Sequence, residues 1–222
     1  MIDAHVHFWR LDRGEYDWIT PERTPLRQDY LPHHFLSTTE QTKVRGCIAV
    51  QAAPTRAETD FLLNLTAQND CIRGVTGWAD LTAPTLEKDL DIWNANPTLK
   101  GIRPMGVMLG PEWLNQTQYH RGIKVLAERN LILEALVLPH HLRAVAAIAK
   151  AHPDLQIVIN HAAKPLPEDL PNWRVDLSSF SQLKNVTCKL SGLTQQSSDL
   201  DHHKSVLGGL MDVFGPGRLM WG

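Results

Sequence analysis

Ile-Asp-Ala-His-Val-His, residues 2–7, is the stretch from which this chain's fold and chemistry can both be approached. Three apolar residues alternate there with Asp3, His5 and His7, which is the two-residue period of a β-strand. Residues i and i+2 of a strand share a face about 6.5 Å apart. His5 and His7 can therefore bind one metal ion through Zn–N bonds of about 2.0–2.1 Å. A polar strand edge with two hydrogen-bonding histidines is the alternative at this point.

Size and charge describe an ordinary globular protein. The chain has 222 residues, 43% of them hydrophobic, and a formal net charge of −2. This length is enough for one large domain with a real core. The near-neutral balance gives no electrostatic basis for binding nucleic acid or an anionic membrane surface. We therefore expect a small-molecule substrate, with a homodimer as the partner arrangement to test.

The absence of a targeting pattern and the spacing of the cysteines indicate where in the cell the protein is expected. No run approaches about 18 apolar residues, so no membrane span is expected, and the N-terminus enters a strand without a signal pattern. We expect a cytoplasmic protein. Cys47, Cys71 and Cys188 are widely spaced within or beside apolar runs. Buried free thiols are favoured over disulfides or a zinc cluster.

A repeating pattern of apolar runs and helical segments predicts the architecture. Strands are expected to start near residues 2, 44, 72, 100, 131, 156, 186 and 218. After the first interval they are separated by about 25–32 residues, close to the length of a βαβ unit. Nearly continuous apolar runs are typical of parallel strands covered by helices. We predict an α/β protein with one domain over residues 1–222, a (β/α)8 TIM barrel.

Two features qualify this prediction. A (β/α)8 barrel usually needs about 250 residues, and here the eighth strand is begun while its helix is absent, so the barrel is expected to be incomplete at the C-terminus. A doubly wound open sheet is the alternative fold, but no dinucleotide-binding or P-loop motif follows any strand. A long loop at about residues 9–32 is also expected, and its Trp9 could line a pocket or pin the loop.

Polar side chains gather at the predicted carboxyl ends of the strands, where such barrels carry their active sites. His161 ends an Ile-Val-Ile strand and is a third histidine to join His5 and His7. Three protein ligands and a water form a catalytic zinc arrangement. Arg103 ends the fourth strand. Lys189 is expected to form a buried ion pair with Glu134.

The remaining histidines are mostly adjacent pairs, at 33–34, 140–141 and 202–203. Neighbouring residues on a helix face different ways. We therefore assign these pairs to solvent or to helix ends.

Five segments carry a family resemblance, because together they occur in the order of the amidohydrolase-related family of lactonases and decarboxylases. They are IDAHVHFW at 2–9, GIRP at 101–104, IVINHAAKP at 157–165, KLSG at 189–192 and RLMWG at 218–222. The chain most resembles the branch of sugar-lactone hydrolases of the L-fuconolactonase and L-rhamnonolactonase type. The resemblance covers the whole chain.

The resemblance implies a barrel in which His5, His7 and His161 line the reaction centre. In this family they often bind a divalent metal, for which zinc is the first expectation, although some of its lactonases work without one. It also implies an aspartate just after the strand-8 Trp-Gly, and the sequence ends at Gly222. Asn160 stands where the family often has Asp.

The hypothesis is a carbohydrate-metabolism enzyme that opens a sugar-derived lactone by attack of an activated water on the ester carbonyl. His5, His7 and His161 are the expected catalytic and metal-binding residues. Substrate contacts are expected from Arg103, whose guanidinium would hold a carboxylate or oxyanion, and from three others: Lys164, Trp78 and Trp9.

Two alternatives remain open. One is a metal-dependent decarboxylase or another hydrolase of the same superfamily. The other is a catalytically degenerate barrel, because the strand-8 aspartate is not in the sequence.

Overall fold

The computed structural model describes residues 1–110 and 112–222. Contacts divide the chain into two compact units, Met1–Ala79 with Glu87–Arg103, and Asp80–Leu86 with Pro104–Gly222. Strand and helix alternate through both units, and strands that follow one another pair in parallel within each unit. This is the predicted (β/α)8 TIM-barrel fold. The single-domain assignment stays a prediction.

The first unit holds four strands and three helices. They are β1 (Ile2–Val6), α1 (Pro32–Thr39), β2 (Gly46–Val50), α2 (Arg56–Thr66), β3 (Ile72–Gly77), α3 (Leu86–Asn94) and β4 (Leu99–Ile102). Cys47, Ala49 and Val50 of β2 have no exposed surface, as expected of a parallel strand covered on both faces.

The second unit holds the other four strands. Its elements are α4 (Thr117–Glu128), β5 (Ile132–Ala135), α5 (Leu142–Ala151), β6 (Ile157–Ile159), α6 (Leu170–Leu177), β7 (Val186–Leu190), α7 (Leu200–Phe214) and β8 (Leu219–Trp221). All three residues of β6 are buried. Their packing fixes the position at which the following segment, beginning at Asn160, leaves the strand.

One helix lies earlier than the sequence pattern indicates. For the segment between β6 and β7, the sequence pattern predicts a proline-rich loop followed by a weak helix near residues 177–183. The structure instead places α6 at Leu170–Leu177. Pro171 stands in its first turn, where the fixed φ of proline suits a helix, and Trp173 and Leu177 form its buried face. The prolines interpreted as a loop are thus part of the helix start.

Buried histidines are a second difference. His202 is the third residue of α7 and is 3% exposed, so it lies at a helix end, as one of the two assignments expects, but not in solvent. It lies four and eight residues before Val206 and Leu210, which are also buried, so it shares the helix face that packs inward. His141 is buried too, but at a helix start, where its Nδ1 accepts the Leu138 N–H at 3.1 Å.

The cysteines follow the prediction: Cys47, Cys71 and Cys188 are free and buried. None of the helices in residues 1–110 and 112–222 has the length and apolar character needed to cross a membrane.

Candidate active site

The histidines of β1 lie side by side. His5 and His7 are both partly exposed, and their Nε2 atoms are 3.2 Å apart. The ring of His7 is oriented by its Nδ1, which lies 2.8 Å from the carbonyl oxygen of Val50. Because a carbonyl only accepts, Nδ1 carries the hydrogen, and in the neutral ring Nε2 presents a lone pair. The Val50 carbonyl thus fixes the tautomer of His7, with the Nε2 lone pair on the side of His5.

Arg103 is brought to the same place. Its Nη1 lies 3.5 Å from Nε2 of His5, and the side chain is 4% exposed. Nη2 donates to the carbonyl oxygen of Gln51, while Nε2 of Gln51 donates to the carbonyl oxygen of Arg103 at 3.2 Å. This reciprocal pair fixes the guanidinium beside the histidines. Gln51 is noted in the sequence only as the end of a strand, and its holding role needs the tertiary structure.

The pair of histidines suits a divalent metal. Two ligands of a tetrahedral zinc, each bonded at about 2.0–2.1 Å, lie about 3.3 Å from each other, and the observed Nε2 separation is 3.2 Å. Across residues 1–110 and 112–222, however, no group of three or more His, Cys, Asp or Glu side chains is arranged to hold a metal ion. The three-histidine ligand set therefore stays a prediction.

His161 begins an unusual turn in the second unit. Four consecutive residues without glycine, His161 to Lys164, have φ between 53° and 61°. The left-handed conformation costs roughly 1–2 kcal/mol for each such residue, and strain of this kind gathers at functional sites. The turn is held by bonds from Lys164 N–H to the His161 oxygen at 2.7 Å and from Trp173 Nε1 to the Ala162 oxygen at 2.8 Å.

The ring of His161 is fixed as well. Its Nδ1 lies 2.8 Å from Oγ of Ser191. A Cβ on Gly192 would lie 3.0 Å from the same nitrogen, and Gly192 has a φ of +67°. The Ser-Gly pair that directly follows β7 therefore both orients the imidazole and leaves room for it.

The charged residues inside β5 and β7 form a buried ion pair with each other, as the sequence predicts. Lys189 Nζ contacts both oxygens of Glu134, at 2.8 and 2.9 Å, and Asn160 Nδ2 donates to one of them at 3.1 Å. Glu134 and Lys189 are 4% and 1% exposed. This pair serves structure, since both charges are compensated within the protein.

The two predicted substrate-binding tryptophans lie in other surroundings. Trp9 is 6% exposed, packs against Trp18 and Tyr30, and donates from Nε1 to the Gln28 oxygen at 2.8 Å. The main-chain N–H and oxygen of Trp78 both bond Oγ1 of Thr59 at 2.8 Å. Their contact with substrate stays a prediction.

A buried carboxylate ties the long loop to the end of β2. Glu58 accepts hydrogen bonds from the Ala52 N–H at 2.8 Å and from the Tyr16 hydroxyl at 2.7 Å, with Arg13 3.4 Å away. Burial raises the pKa of Glu58 and, together with this carboxylate, the pKa of Tyr16. The network fixes the backbone directly after Gln51.

A cavity of about 690 Å³ opens in the second unit. It lies beside the His161–Lys164 turn and is lined by Leu138, Pro139, His140, Arg143, Lys164, Leu166, Asp169, Asn172, Trp173, Asp176 and Gln196. Of the residues predicted to form the site, Lys164 is in its wall.

Comparison with known proteins defines the class to which this barrel belongs. The amidohydrolase family model matches residues 2–222. The chain belongs to this family and is a hydrolase, which confirms the resemblance carried by its motifs.

Its relatives include L-fucono-1,5-lactonases of two Burkholderia species. The protein of B. ambifaria is 32% identical over 100% of this chain and 78% of its own length. That of B. multivorans is 34% identical over 100% and 80%. An amidohydrolase structure from B. multivorans with bound zinc has a TM-score of 0.91 at 34% identity, covering 100% of this chain and 82% of that one.

Proposed function

We propose that this chain hydrolyses a sugar-derived lactone by adding water to the ring ester carbonyl. The observation that carries the proposal is the juxtaposition of two accessible imidazoles with a fixed guanidinium, in His5, His7 and Arg103. Relatives named L-fucono-1,5-lactonase support the choice of a lactone.

His7 supplies the base. Since its Nδ1–H is held by the Val50 oxygen, Nε2 is the ring nitrogen that takes a proton from the attacking water. A positioned base of this kind contributes about 10²–10⁴-fold to a rate. Nε2 of His5, 3.2 Å away, shares the proton once His7 has accepted it.

Arg103 supplies positive charge. The addition of water turns the ester carbonyl into an oxyanion, and a preorganised cation stabilises that charge more than it stabilises the neutral substrate. The bonds with Gln51 keep the guanidinium in place before substrate arrives. Arg103 therefore acts on the transition state as well as in binding.

Four more residues keep their predicted roles in this proposal. His161, oriented by Ser191, is a catalytic residue, and Lys164, Trp78 and Trp9 contact the substrate. Each role is tested by substitution to Ala, or to Phe for the tryptophans, with kcat and KM measured separately.

In a metal-loaded form of the site, a divalent ion, zinc first, would be held by Nε2 of His5 and of His7, with His161 as the third predicted ligand. These nitrogens then act as ligands, and the role of His7 as base belongs to the metal-free form. When bound, such an ion polarises a carbonyl and lowers the pKa of water toward about 7. Metal analysis of the purified protein and of the His5→Ala/His7→Ala double variant tests the ligands. Undiminished metal in the double variant would refute this assignment.

The deciding experiment is a panel of aldonolactones, including L-fucono-1,5-lactone, assayed by acid release with and without added zinc. We expect turnover that falls at least about 100-fold in the His7→Ala variant. Failure to hydrolyse any lactone would sink the proposal, and carbon dioxide release from an aromatic acid would favour the decarboxylase alternative.

A role in carbohydrate metabolism, a cytoplasmic location and a homodimeric state complete the proposal. The sugar-acid lactones named for the relatives support the first. Cell fractionation and light scattering test the other two. The net charge of −2 supports a protein without affinity for nucleic acid, which a gel-shift assay checks.

A further inference from the structure

Arg103 is held at its main chain as well as at its guanidinium. Its N–H donates to the carbonyl oxygen of Gly77 at 2.9 Å, and its own carbonyl oxygen accepts from Nε2 of Gln51 at 3.2 Å. Gly77 is the last residue of β3, and Gln51 directly follows β2. The position of this arginine therefore depends on where the ends of β2 and β3 stand.

Glu58 and Thr59, adjacent residues of α2, each bond the main chain just past one of these strand ends. Oε1 of Glu58 accepts the N–H of Ala52 at 2.8 Å, one residue beyond the glutamine. Oγ1 of Thr59 accepts the N–H of Trp78 and donates to its carbonyl oxygen, both at 2.8 Å, one residue beyond the glycine. One helix start thus fixes the backbone beside both groups that hold the arginine.

These bonds lie in the interior of the first unit. The side chains of Glu58 and Thr59 have no exposed surface. Thr59 packs directly on β3, since a Cβ on Gly77 would lie 2.6 Å from its Cγ2. A buried polar group that loses its partner is left unsatisfied, because water does not take the place of the lost bond. The strand ends should therefore shift when either side chain is shortened or made apolar.

We propose that Glu58 and Thr59 are positioning residues for Arg103, which set the place of its guanidinium beside His5 through the main chain at the ends of β2 and β3. This role rests on the proposed function, in which the arginine stabilises the oxyanion, and extends the machinery of that site to α2. Both residues act through the arginine and not on the substrate. All of these groups belong to the first compact unit.

Thr59→Val keeps the branched shape of the side chain and removes its hydroxyl, whereas Thr59→Ser keeps the hydroxyl. In the valine variant we expect kcat for the active lactone to fall about 10-fold, with a smaller change in KM, because displacing a positioned group costs rate more than binding. The serine variant should restore most of the loss. Thr66→Val is the matched control on the same helix, since the Thr66 hydroxyl donates to the Leu63 oxygen within α2.

Glu58→Leu and Glu58→Gln form a second pair. Leucine removes the acceptor of the Ala52 N–H, and glutamine keeps an oxygen in its place. We expect kcat to fall in the leucine variant and to stay close to the wild type in the glutamine variant. If Glu58→Leu does not fold, the Thr59 variants decide the question.

A double-mutant cycle separates positioning from a general loss of structure. In the Arg103→Ala background, Thr59→Val should change kcat by less than about twofold, since no guanidinium is left to displace. A further loss as large as in the wild-type background would show that Thr59 acts on the fold, and it would overturn the inference while leaving lactonase activity established. Equal losses in Thr59→Val and Thr59→Ser would do the same.

Chemical labelling tests the positioning without any substrate. Phenylglyoxal modifies arginine side chains, and peptide mass spectrometry gives the rate at each one. The rate at Arg103 should rise about fivefold in Thr59→Val, as expected when one hydrogen bond is lost from a local opening equilibrium. Arg218, which donates to main-chain oxygens in the second unit, should keep its rate.

The two proposals can fail separately. If the wild-type protein hydrolyses no lactone, the proposed function fails, and the labelling rates alone then judge whether Thr59 fixes Arg103. A faster rate at Arg103 but not at Arg218 supports the positioning role. An unchanged rate at Arg103, or an equal rise at both arginines, rejects it.

Discussion

The histidines of β1 and the charged pair of β5 and β7 arise from the same sequence feature, a polar residue within an apolar strand. His5 and His7 stay partly exposed, and the Nε2 atom of His7 presents a lone pair. Glu134 and Lys189 are buried and neutralise each other. This difference shows that a polar residue in a strand is a candidate for chemistry when solvent can reach its side chain and its charge or lone pair is not neutralised by a buried partner.

The largest expected effect comes from breaking the buried ion pair of Glu134 and Lys189. Lys189→Met should lower the free energy of unfolding by about 3–5 kcal/mol, because it leaves Glu134 buried without its counter-charge. Urea denaturation followed by circular dichroism measures this. The double variant Glu134→Leu/Lys189→Met should recover most of the loss, and a double variant as unstable as the single one would show that packing, not charge, holds this region.

Substitution in the partly exposed pair, His5 and His7, should lower activity and leave the free energy of unfolding nearly unchanged. His7→Ala is expected to lower kcat/KM for the active lactone by at least about 100-fold, since it removes the base, with the free energy of unfolding within about 1 kcal/mol of the wild type. His33→Ala, at an exposed histidine, is the control. Loss of stability comparable with that of Lys189→Met would end the contrast between the two regions.

Glu58 is a buried, hydrogen-bonded carboxylate in the same unit as the histidines. Its contribution to the free energy of unfolding should be smaller and should depend on pH. Burial raises its pKa, so the folded state holds the proton more tightly than the unfolded state, whose glutamates titrate near 4.3. The stabilisation from Glu58 is complete below that pH and is lost as pH rises through the folded pKa.

Denaturation curves from pH 4 to pH 8 test this sign. The wild type should lose stability relative to Glu58→Gln, which cannot ionise, as the pH increases. A gain over the same range would mean that the bonds from Ala52 and Tyr16 outweigh burial and lower the pKa instead.

The smallest effect concerns groups that the fold makes unreactive. Burial raises the pKa of Cys47 and of Cys188 to about 12, and a thiol needs its thiolate form to react. An aromatic disulfide reagent at pH 8 should leave both unlabelled in the folded protein and label all three cysteines after unfolding in guanidinium. Rapid labelling of Cys188 in the folded state would contradict the burial of this β7 side chain.

Sequence reasoning succeeded where one residue pattern has one structural meaning. The repeated apolar runs predicted the strands, and the polar residues within β5 and β7 predicted the ion pair. It failed at α6, where prolines serve either a loop or a helix start. It allowed a helix end for His202 but did not predict the burial of its side chain, because the buried face of a helix depends on what packs against it. Nothing in the sequence signalled the role of Gln51, since a glutamine at the end of a strand is ordinary.

By itself, the sequence determined the fold class, the family and the presence of two histidines on one strand face, because strand periodicity is local and the family motifs are contiguous. The tertiary structure alone decided the proton position on His7 and the reciprocal hydrogen bonds between Gln51 and Arg103. These features join atoms from segments far apart in the chain, and their distances follow from packing that no local pattern encodes.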